Sequence, residues 1–334
     1  MAAGKKILSV VVAAYNRGSM IDDCLKSFCS DKIIDDIEVI VVDDGSTDDT
    51  AKRAEKYCKK YPKSIKLIHQ ENAGAGAATN TGIKNATGKY LRVVDGDDWV
   101  NTKDFEKLVE HLKEVDVDVV FTNYVPYHEV KKIELAPVKI VDMPTGKKFN
   151  FDEYWYRYNP PIRMHHSTFR TSIVKKHVKL DNGYYTDSQY TFYPTPYIQT
   201  AIYYDLNIYI YRVAVAGQSI SPDKMRANRS RHYEILEHIL SFYKEVSPKL
   251  SPNVHHYLAL QISGFVINHF DFILLAHEKH MARDVKKLFK IIEKKYPHIF
   301  KELKEDKKYR VTLGGNAVLV HIFAFYLKKR YKHL

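Results

Sequence analysis

The chain has little cysteine, little tryptophan, a shortage of acid and no uninterrupted apolar run of membrane length. Three cysteines (Cys24, Cys29, Cys58) in 334 residues make no even disulfide framework and show no metal-binding spacing. A reducing, cytoplasmic setting is therefore expected. The most apolar stretch, Tyr257 to Leu275, is interrupted by Gln261, Asn268, His269 and Asp271. It reads as a buried core helix or an oligomer contact through the C-terminal helices, not a span. Internal repeats and low-complexity segments are absent, so neither a repeat array nor a disordered chain is in view. The first residues, Met1 to Lys6, run straight into a strand pattern and are not expected to be a signal peptide.

The acid deficit is 52 Lys and Arg against 40 Asp and Glu, a net charge of +12 and a pI near 9.2. Such a surface seeks anions: nucleic acid, an anionic membrane face or phosphorylated small molecules. What the chain does have is ordinary apolar content, 45%, and 25 tyrosines. Its length suits one large domain with an appendage, or two domains.

Short β-branched runs alternate with helical patterns. Ile7–Ala14, Ile37–Val42, Ile65–His69, Tyr90–Val94 and Val117–Phe121 read as strands. The first two lack polar alternation, as strands buried on both faces do. Between them lie helical spacings: Ile21, Leu25, Phe28 after a Ser19 cap; Ala51, Ala54, Cys58, Tyr61; a small-residue helix through Asn80; and Phe105, Leu108, Val109, Leu112. This alternation predicts a mostly parallel, helix-covered α/β sheet. Ligands in such sheets sit beyond the carboxyl ends of the strands.

Three polar punctuations fall at those ends: Ala14-Tyr15-Asn16, Asp43-Asp44-Gly45 and Asp95-Gly96-Asp97-Asp98. Three carboxylates within four positions repel one another and call for a counter-charge. Hard carboxylate oxygens suit Mg²⁺ or Mn²⁺, and Mg²⁺ usually shares its shell with substrate phosphates. A metal–diphosphate site is one reading of the third punctuation. An acidic turn capping the following helix is the other.

The middle, Tyr124 to Ser221, is less regular. It carries an aromatic cluster at Tyr154–Tyr158, Arg163-Met164-His165-His166, a tyrosine-rich stretch from Tyr184 to Tyr197, and an alternating strand at Ile208–Arg212. From Pro222 the composition shifts to helix formers, with helices expected around residues 230–246, 254–277 and 281–295. Domains are accordingly expected at 1–221 and 222–334. The apolar tail Ala317–Leu327 is too short to cross a bilayer and is followed by the basic cluster Lys328–His333. It reads either as a helix lying on an anionic membrane surface or as a helix packed on its own domain.

Ser9–Asn16, Val41–Asp48, Asn72–Gly82 and Val94–Asp98, in this order and spacing, resemble the family 2 glycosyltransferases of the Rossmann-like GT-A fold. The resemblance is strong over residues 6–125, weaker to 221 and absent from the helical extension. It implies an inverting, metal-dependent hexosyl- or N-acetylhexosaminyl-transferase using a nucleotide-sugar donor, a UDP-sugar foremost. It carries Ala14, Tyr15, Asn16, Asp43, Asp44, Asn72, Asn80, Asp95 and Gly96 to donor binding, and Asp97 and Asp98 to Mn²⁺ or Mg²⁺. Many relatives place an arginine where this chain has Thr79, so Arg92 or Arg163 is a candidate for a positive donor contact. In relatives the general base is the aspartate of a Glu-Asp pair. Here Thr186-Asp187 stands at that distance, making Asp187 the candidate, with Asp181 its competitor and a simple helix start the alternative. Arg163, His165 and His166 are candidates for acceptor or diphosphate contacts. The tyrosines from 184 to 197 serve acceptor stacking or core packing equally well.

The acceptor expected from the resemblance is a glycan or lipid-linked glycan in capsule, exopolysaccharide or teichoic-acid synthesis at the inner face of the plasma membrane. Extension of a protein-linked glycan is the alternative. Nucleic acid is not expected as a partner: no aromatic–basic RNA-binding signature appears, and the acidic cluster repels phosphate unless a metal intervenes.

Overall fold

Continuous β-branched runs form the strands of a sheet whose middle is buried. A computed structural model describes residues 6–140, 143–153, 162–214, 221–276, 280–312 and 315–331. The described chain divides into two compact units, residues 1–213 and 214–334.

In the first unit, strands β1 (Leu8–Ala14), β2 (Ile37–Asp43), β3 (Ile65–His69) and β4 (Tyr90–Asp95) alternate with helices α1 (Ile21–Ser27), α2 (Thr50–Lys60) and α3 (Ala75–Asn85). There follow β5 (Trp99–Val100), α4 (Thr102–Glu114), β6 (Val119–His128), and the short β7 (Ile133–Glu134) and β8 (Lys148–Asn150). Then come β9 (Ser167–Arg170), α5 (Thr171–His177), α6 (Asp187–Phe192) and β10 (Thr200–Val213). The sheet order is β3-β2-β1-β4-β9-β6-β10-β5. β1 pairs in parallel with both β2 and β4, matching Ala14 to Asp43 and Ala13 to Asp95. That register sets the first three polar punctuations level along one sheet edge. β2 is buried throughout, as its unbroken apolar pattern requires.

The mostly parallel α/β class agrees with the sequence reading; three details differ. The strand expected at Val117–Phe121 runs from Val119 to His128 and does not neighbour β4. β9 lies between them, antiparallel to both. The strand expected at Ile208–Arg212 begins at Thr200, and Ile208, Tyr209 and Ile210 are all buried, because β6 and β5 flank this part of β10. Ser19 does not cap α1. That helix starts at Ile21 behind Met20, with no side-chain cap, and the amides of Met20 and Ile21 donate instead to the Arg17 carbonyl.

Packing explains the helices. α4 buries Phe105, Leu108, Val109 and Leu112, the spacing of one helical face. α3 is built of small residues because it lies close on β1: a Cβ at Gly82 would meet Val11 Cγ1 at 2.2 Å.

The second unit is helical: α7 (Pro222–Ala227), α8 (Arg229–Val246), α9 (Pro252–Ala276), α10 (Met281–Lys295), α11 (Pro297–Glu305), α12 (Lys307–Thr312) and α13 (Ala317–Tyr331). By length and composition α9 is apolar enough to cross a membrane, and 78% of its most apolar window is buried inside the protein. Three of its four polar interruptions have partners. His232 reaches Asn268 Oδ1 at 2.8 Å and His269 Nδ1 at 3.0 Å, and Asp271 accepts from Lys308. Buried polar groups with partners are what a soluble core tolerates, so the core-helix reading of this stretch holds. The aromatic cluster Tyr154–Tyr158 and the last basic side chains of the tail lie outside the described residues.

Candidate active site

The acidic turn grows out of the end of β4. Gly96 donates to the Ala13 carbonyl at 3.1 Å, and a Cβ on Gly96 would come within 3.0 Å of that oxygen. A side chain there would press on β1, which would have to give by a few tenths of an ångström. The amide of Asp98 then donates to the Asp95 carbonyl at 3.0 Å, closing the turn. Asp98 points inward, 2% exposed. It accepts from the Tyr209 hydroxyl at 2.6 Å and from the Arg212 amide at 2.7 Å. The guanidinium of Arg212 donates through Nε to the Asp97 carbonyl at 2.7 Å and reaches Asp23 and Glu129 with its other nitrogens. It also lies over the Trp99 ring, 4.5 Å from its centroid. The Asp97 carboxylate pairs with Arg17 Nε at 3.2 Å. The turn is not a helix cap: α4 is capped by Asn101, whose Oδ1 accepts from the Asp104 amide.

These carboxylates are short of counter-charge. Burial first, then the charges of Asp97 and Asp187, push the Asp95 carboxyl up to about 7. Burial and the charges of Asp97 and Asp95 raise Asp98 as well, against the hydrogen bond from Tyr209. Beside them stands His165. Burial, then His166, Arg163 and Arg92, lower its ring to about 3, so it is a neutral imidazole. Its Nδ1 is buried without a hydrogen-bond partner. Ligand atoms of Asp95, Asp98 and His165 lie within 4.8 Å of one another. Two carboxylates and a neutral imidazole with an unused nitrogen suit a divalent cation of the Mn²⁺ class.

His165 reaches this place because of the antiparallel strand. The turn Met164–His166 precedes β9, and the start of β9 lies at the carboxyl end of β4, where the parallel strands also finish. Arg92 fixes it there. Arg92 is wholly buried and donates to Thr168 at 2.8 Å, to Thr122 and to the His165 carbonyl. It is therefore a support under the site and not the positive donor contact considered from sequence. His166 is also buried, its Nε2 3.4 Å from the Val138 carbonyl. Arg163 is exposed.

At the end of β2 the two aspartates differ. Asp44 accepts from Gln70 Nε2, Ala73 N and Gly74 N at 2.7, 3.0 and 2.7 Å, so its carboxylate holds the loop before α3. Asn72 donates to the Asp44 carbonyl at 2.9 Å. Asp43 accepts from Ser46 N at 3.2 Å and faces His69 Nδ1 at 3.1 Å. Asn16, at φ 51°, accepts from the Thr47 amide at 2.9 Å, tying the β1 and β2 loops together. Ala14 is buried beneath them, and Tyr15 is 40% exposed.

The third motif does structural work. Asn80 donates to the Leu180 carbonyl at 2.8 Å and accepts from the Leu180 amide at 3.0 Å. Gly76 donates to Gly183 O and Gly183 to Ala73 O, both at 3.1 Å. A Cβ at Gly74 (φ +89°) would strike Gly183, and one at Gly76 would strike the Asp181 carbonyl at 1.9 Å. These small residues clamp segment 180–186 onto α3, and Asp187 opens α6 directly after it. Asp181 accepts from Gln189 Nε2 at 2.9 Å. Asp187 is an exposed residue with protein crowded about its carboxyl. That crowding raises its proton affinity, with the Ser188 and Asp187 amides and Arg163 opposing. It is near enough to add its charge to Asp95 and Tyr211. Sequence reading missed Arg17, Tyr209 and Arg212. The only signals were the arginine after Tyr15-Asn16 and the single cation closing the run Tyr209–Arg212.

The fold and site define an α/β protein with an acidic, cation-ready turn at the carboxyl edge of its sheet. Residues 9–178 match the family model described as Glycosyl transferase family 2, and the chain belongs to that family. It is 40% identical over 163 residues to the uncharacterized glycosyltransferase EpsJ of Bacillus subtilis, covering 46% of this chain and 47% of EpsJ. It is thus matched to less than half of that relative's length. The crystal structure of S. aureus TarS 1–349 in complex with UDP superposes with a TM-score of 0.63 at 19% identity, over 96% of this chain and 89% of that one. The mannosyltransferase PcManGT from Pyrobaculum calidifontis, in complex with GDP-Man and Mn²⁺, gives 0.50 at 15% identity, over 96% and 87%. At these identities the structural likeness establishes the fold, which is GT-A.

Proposed function

We propose that the protein is an inverting, metal-dependent glycosyltransferase that moves a sugar from a UDP-sugar to a glycan acceptor. The observation that carries this reading is the convergence of Asp43, the Asp95–Asp98 turn, His165 and Asp187 at one sheet edge. Tyr15 and Asp43 hold the nucleoside: the exposed ring flanks uracil, and the carboxylate accepts from the base or the ribose. Asp97 and Asp98 would hold Mn²⁺ or Mg²⁺, with Asp95 and His165 completing the ligand set. The cation supplies positive charge that stabilises the departing diphosphate.

The chemistry assigned to the chain is one proton transfer and one orientation. An acceptor hydroxyl oxygen bonds to the anomeric carbon on the face opposite the diphosphate, and the carbon–diphosphate bond breaks. The hydroxyl proton passes to Asp187, whose raised proton affinity suits a general base better than that of an ordinary surface carboxylate. Arg163 favours its ionised form. Arg92, through the His165 carbonyl, holds His165 in place, and Arg212, through the Asp97 carbonyl and the Asp98 carboxylate, holds the acidic turn. TarS solved with UDP supports the choice of uridine, and PcManGT with GDP-Man marks the competing nucleotide. By the family resemblance, the acceptor is a lipid-linked or growing polysaccharide at the cytoplasmic face of the membrane.

The test is nucleotide release from a panel of UDP-sugars and GDP-mannose with Mn²⁺. Transfer from a UDP-sugar that stops in EDTA supports the reading. Transfer only from GDP-mannose, or transfer indifferent to metal, overturns it.

A further inference from the structure

The surface of the helical unit shows two outward faces that a freely soluble protein does not need. α13 turns Val320, Ala324 and Leu327 inward. Its outward face is also apolar: Val318, Ile322, Phe325 and Tyr326 are 68%, 61%, 71% and 56% exposed. Their spacing is that of one helical stripe. Single exposed apolar residues are common, but a continuous stripe marks an interaction surface.

The neighbouring helix supplies charge. α10 buries Met281, Val285, Leu288, Phe289 and Ile292. Outward, Arg283, Lys286, Lys287, Lys290, Lys294 and Lys295 line a groove of about 390 Å³. Of the acids on this helix, Asp284 is shared between Arg229 at 3.6 Å and Arg283 at 3.9 Å, and Glu293 is exposed but does not line the groove. The two helices are in contact. The backbone at Gly315, just ahead of α13, packs on Lys286, where a Cβ would come within 3.2 Å of Lys286 Cα. Val318 lies in the first turn of α13, three residues on.

We infer that α10 and α13 together form a docking surface for an anionic lipid bilayer. A bilayer is the partner that satisfies both faces: anionic headgroups for the lysine row and an apolar layer for Ile322 and Phe325. Nucleic acid or a soluble anion answers the lysines and leaves the apolar stripe in water. A second copy pairing stripe with stripe covers the apolar residues and leaves the lysine row without a partner. Sequence placed the charge only in the cluster after residue 327. The structure adds a basic row from a different helix and shows which side of α13 faces out. The inference does not depend on sugar transfer, and its test measures none.

The full chain is sedimented with phosphatidylcholine vesicles and with vesicles containing about 30 mol% phosphatidylglycerol, at about 0.05 and 0.3 M salt. The expected result is binding to the anionic vesicles only, weaker at the higher salt. Each lysine at such a surface is worth about fivefold, so Lys287→Ala with Lys290→Ala lowers partition about 25-fold. Ile322→Ser with Phe325→Ser lowers it about tenfold or more. All four positions are exposed or line the groove, so thermal melts matching the parent are expected; Ile322→Gln replaces any variant that melts early. No binding at low salt, or equal binding to neutral vesicles, overturns the inference. So does a lipid-free dimer that Phe325→Ser dissolves, because the stripe then serves a second copy.

Discussion

The acidic turn at Asp95–Asp98 and the lysine row of α10 are both clusters of like charge, yet the fold handles them in opposite ways. The acids are drawn inward, partnered by Tyr209, Arg17 and Arg212, and desolvated until Asp95 sits at about 7. The lysines stay on the surface around an open groove. Burial makes a charge selective and chemically active, because each partner then counts. Exposure leaves it cheap, additive and screened by salt. The difference separates a site that performs a reaction from a surface that adheres.

Changes in the buried cluster should cost far more than changes in the exposed one. Asp97→Ala removes the proposed cation ligand and should lower kcat/KM by about a thousandfold, with the thermal melt close to the parent. Asp187→Asn should lower kcat by about a hundredfold to ten-thousandfold while UDP still binds, measured by calorimetry. Equal loss of binding and rate would make Asp187 a structural residue of α6. Arg212→Met should cost about 1–3 kcal/mol in urea unfolding, since Glu129 and the Asp97 carbonyl lose their donor. A neutral result would show that Tyr209 and the amide of residue 212 hold the turn without the guanidinium.

The pH dependence follows from Asp95. Its folded proton affinity is raised, so its neutral form is favoured, and stability falls as pH rises from the ordinary carboxylate range to about 7. A divalent cation binds the ionised form and offsets that loss. The rise in Tm on adding Mn²⁺ should therefore be small near about pH 5.5 and larger near about pH 8. An equal rise at both would place the cation elsewhere. At the other end of the scale, Lys287→Ala should leave stability within about 0.5 kcal/mol of the parent.

How much of this was legible depended on where the information lies. β1, β2 and β4 announce themselves because strands buried on both faces must be apolar along their length. Their ends are legible for the converse reason: polar residues at a buried edge need a purpose. β9 was not legible. Ser167–Arg170 is short and polar at all but Phe169, and it becomes a strand only because β4 and β6 flank it. His165 therefore arrives at Asp95 through topology, which residue types alone do not reveal. The motif Asn72–Gly82 was recognised, but the roles of Gly74, Gly76 and Asn80 were not. These residues receive segment 180–186, and the partner of that contact lies a hundred residues away. Arg92 was considered for the wrong duty because sequence does not show which side of β4 it faces. Arg17 and Arg212 were missed because a single arginine carries no pattern.

The measurement that bears most directly on the central claim is UDP release from a UDP-sugar panel, made with Mn²⁺ and again in EDTA, on the parent and Asp97→Ala side by side. The account predicts release from at least one UDP-sugar with Mn²⁺, and background release in EDTA and in the variant. Full release by Asp97→Ala, or by the parent in EDTA, would contradict it.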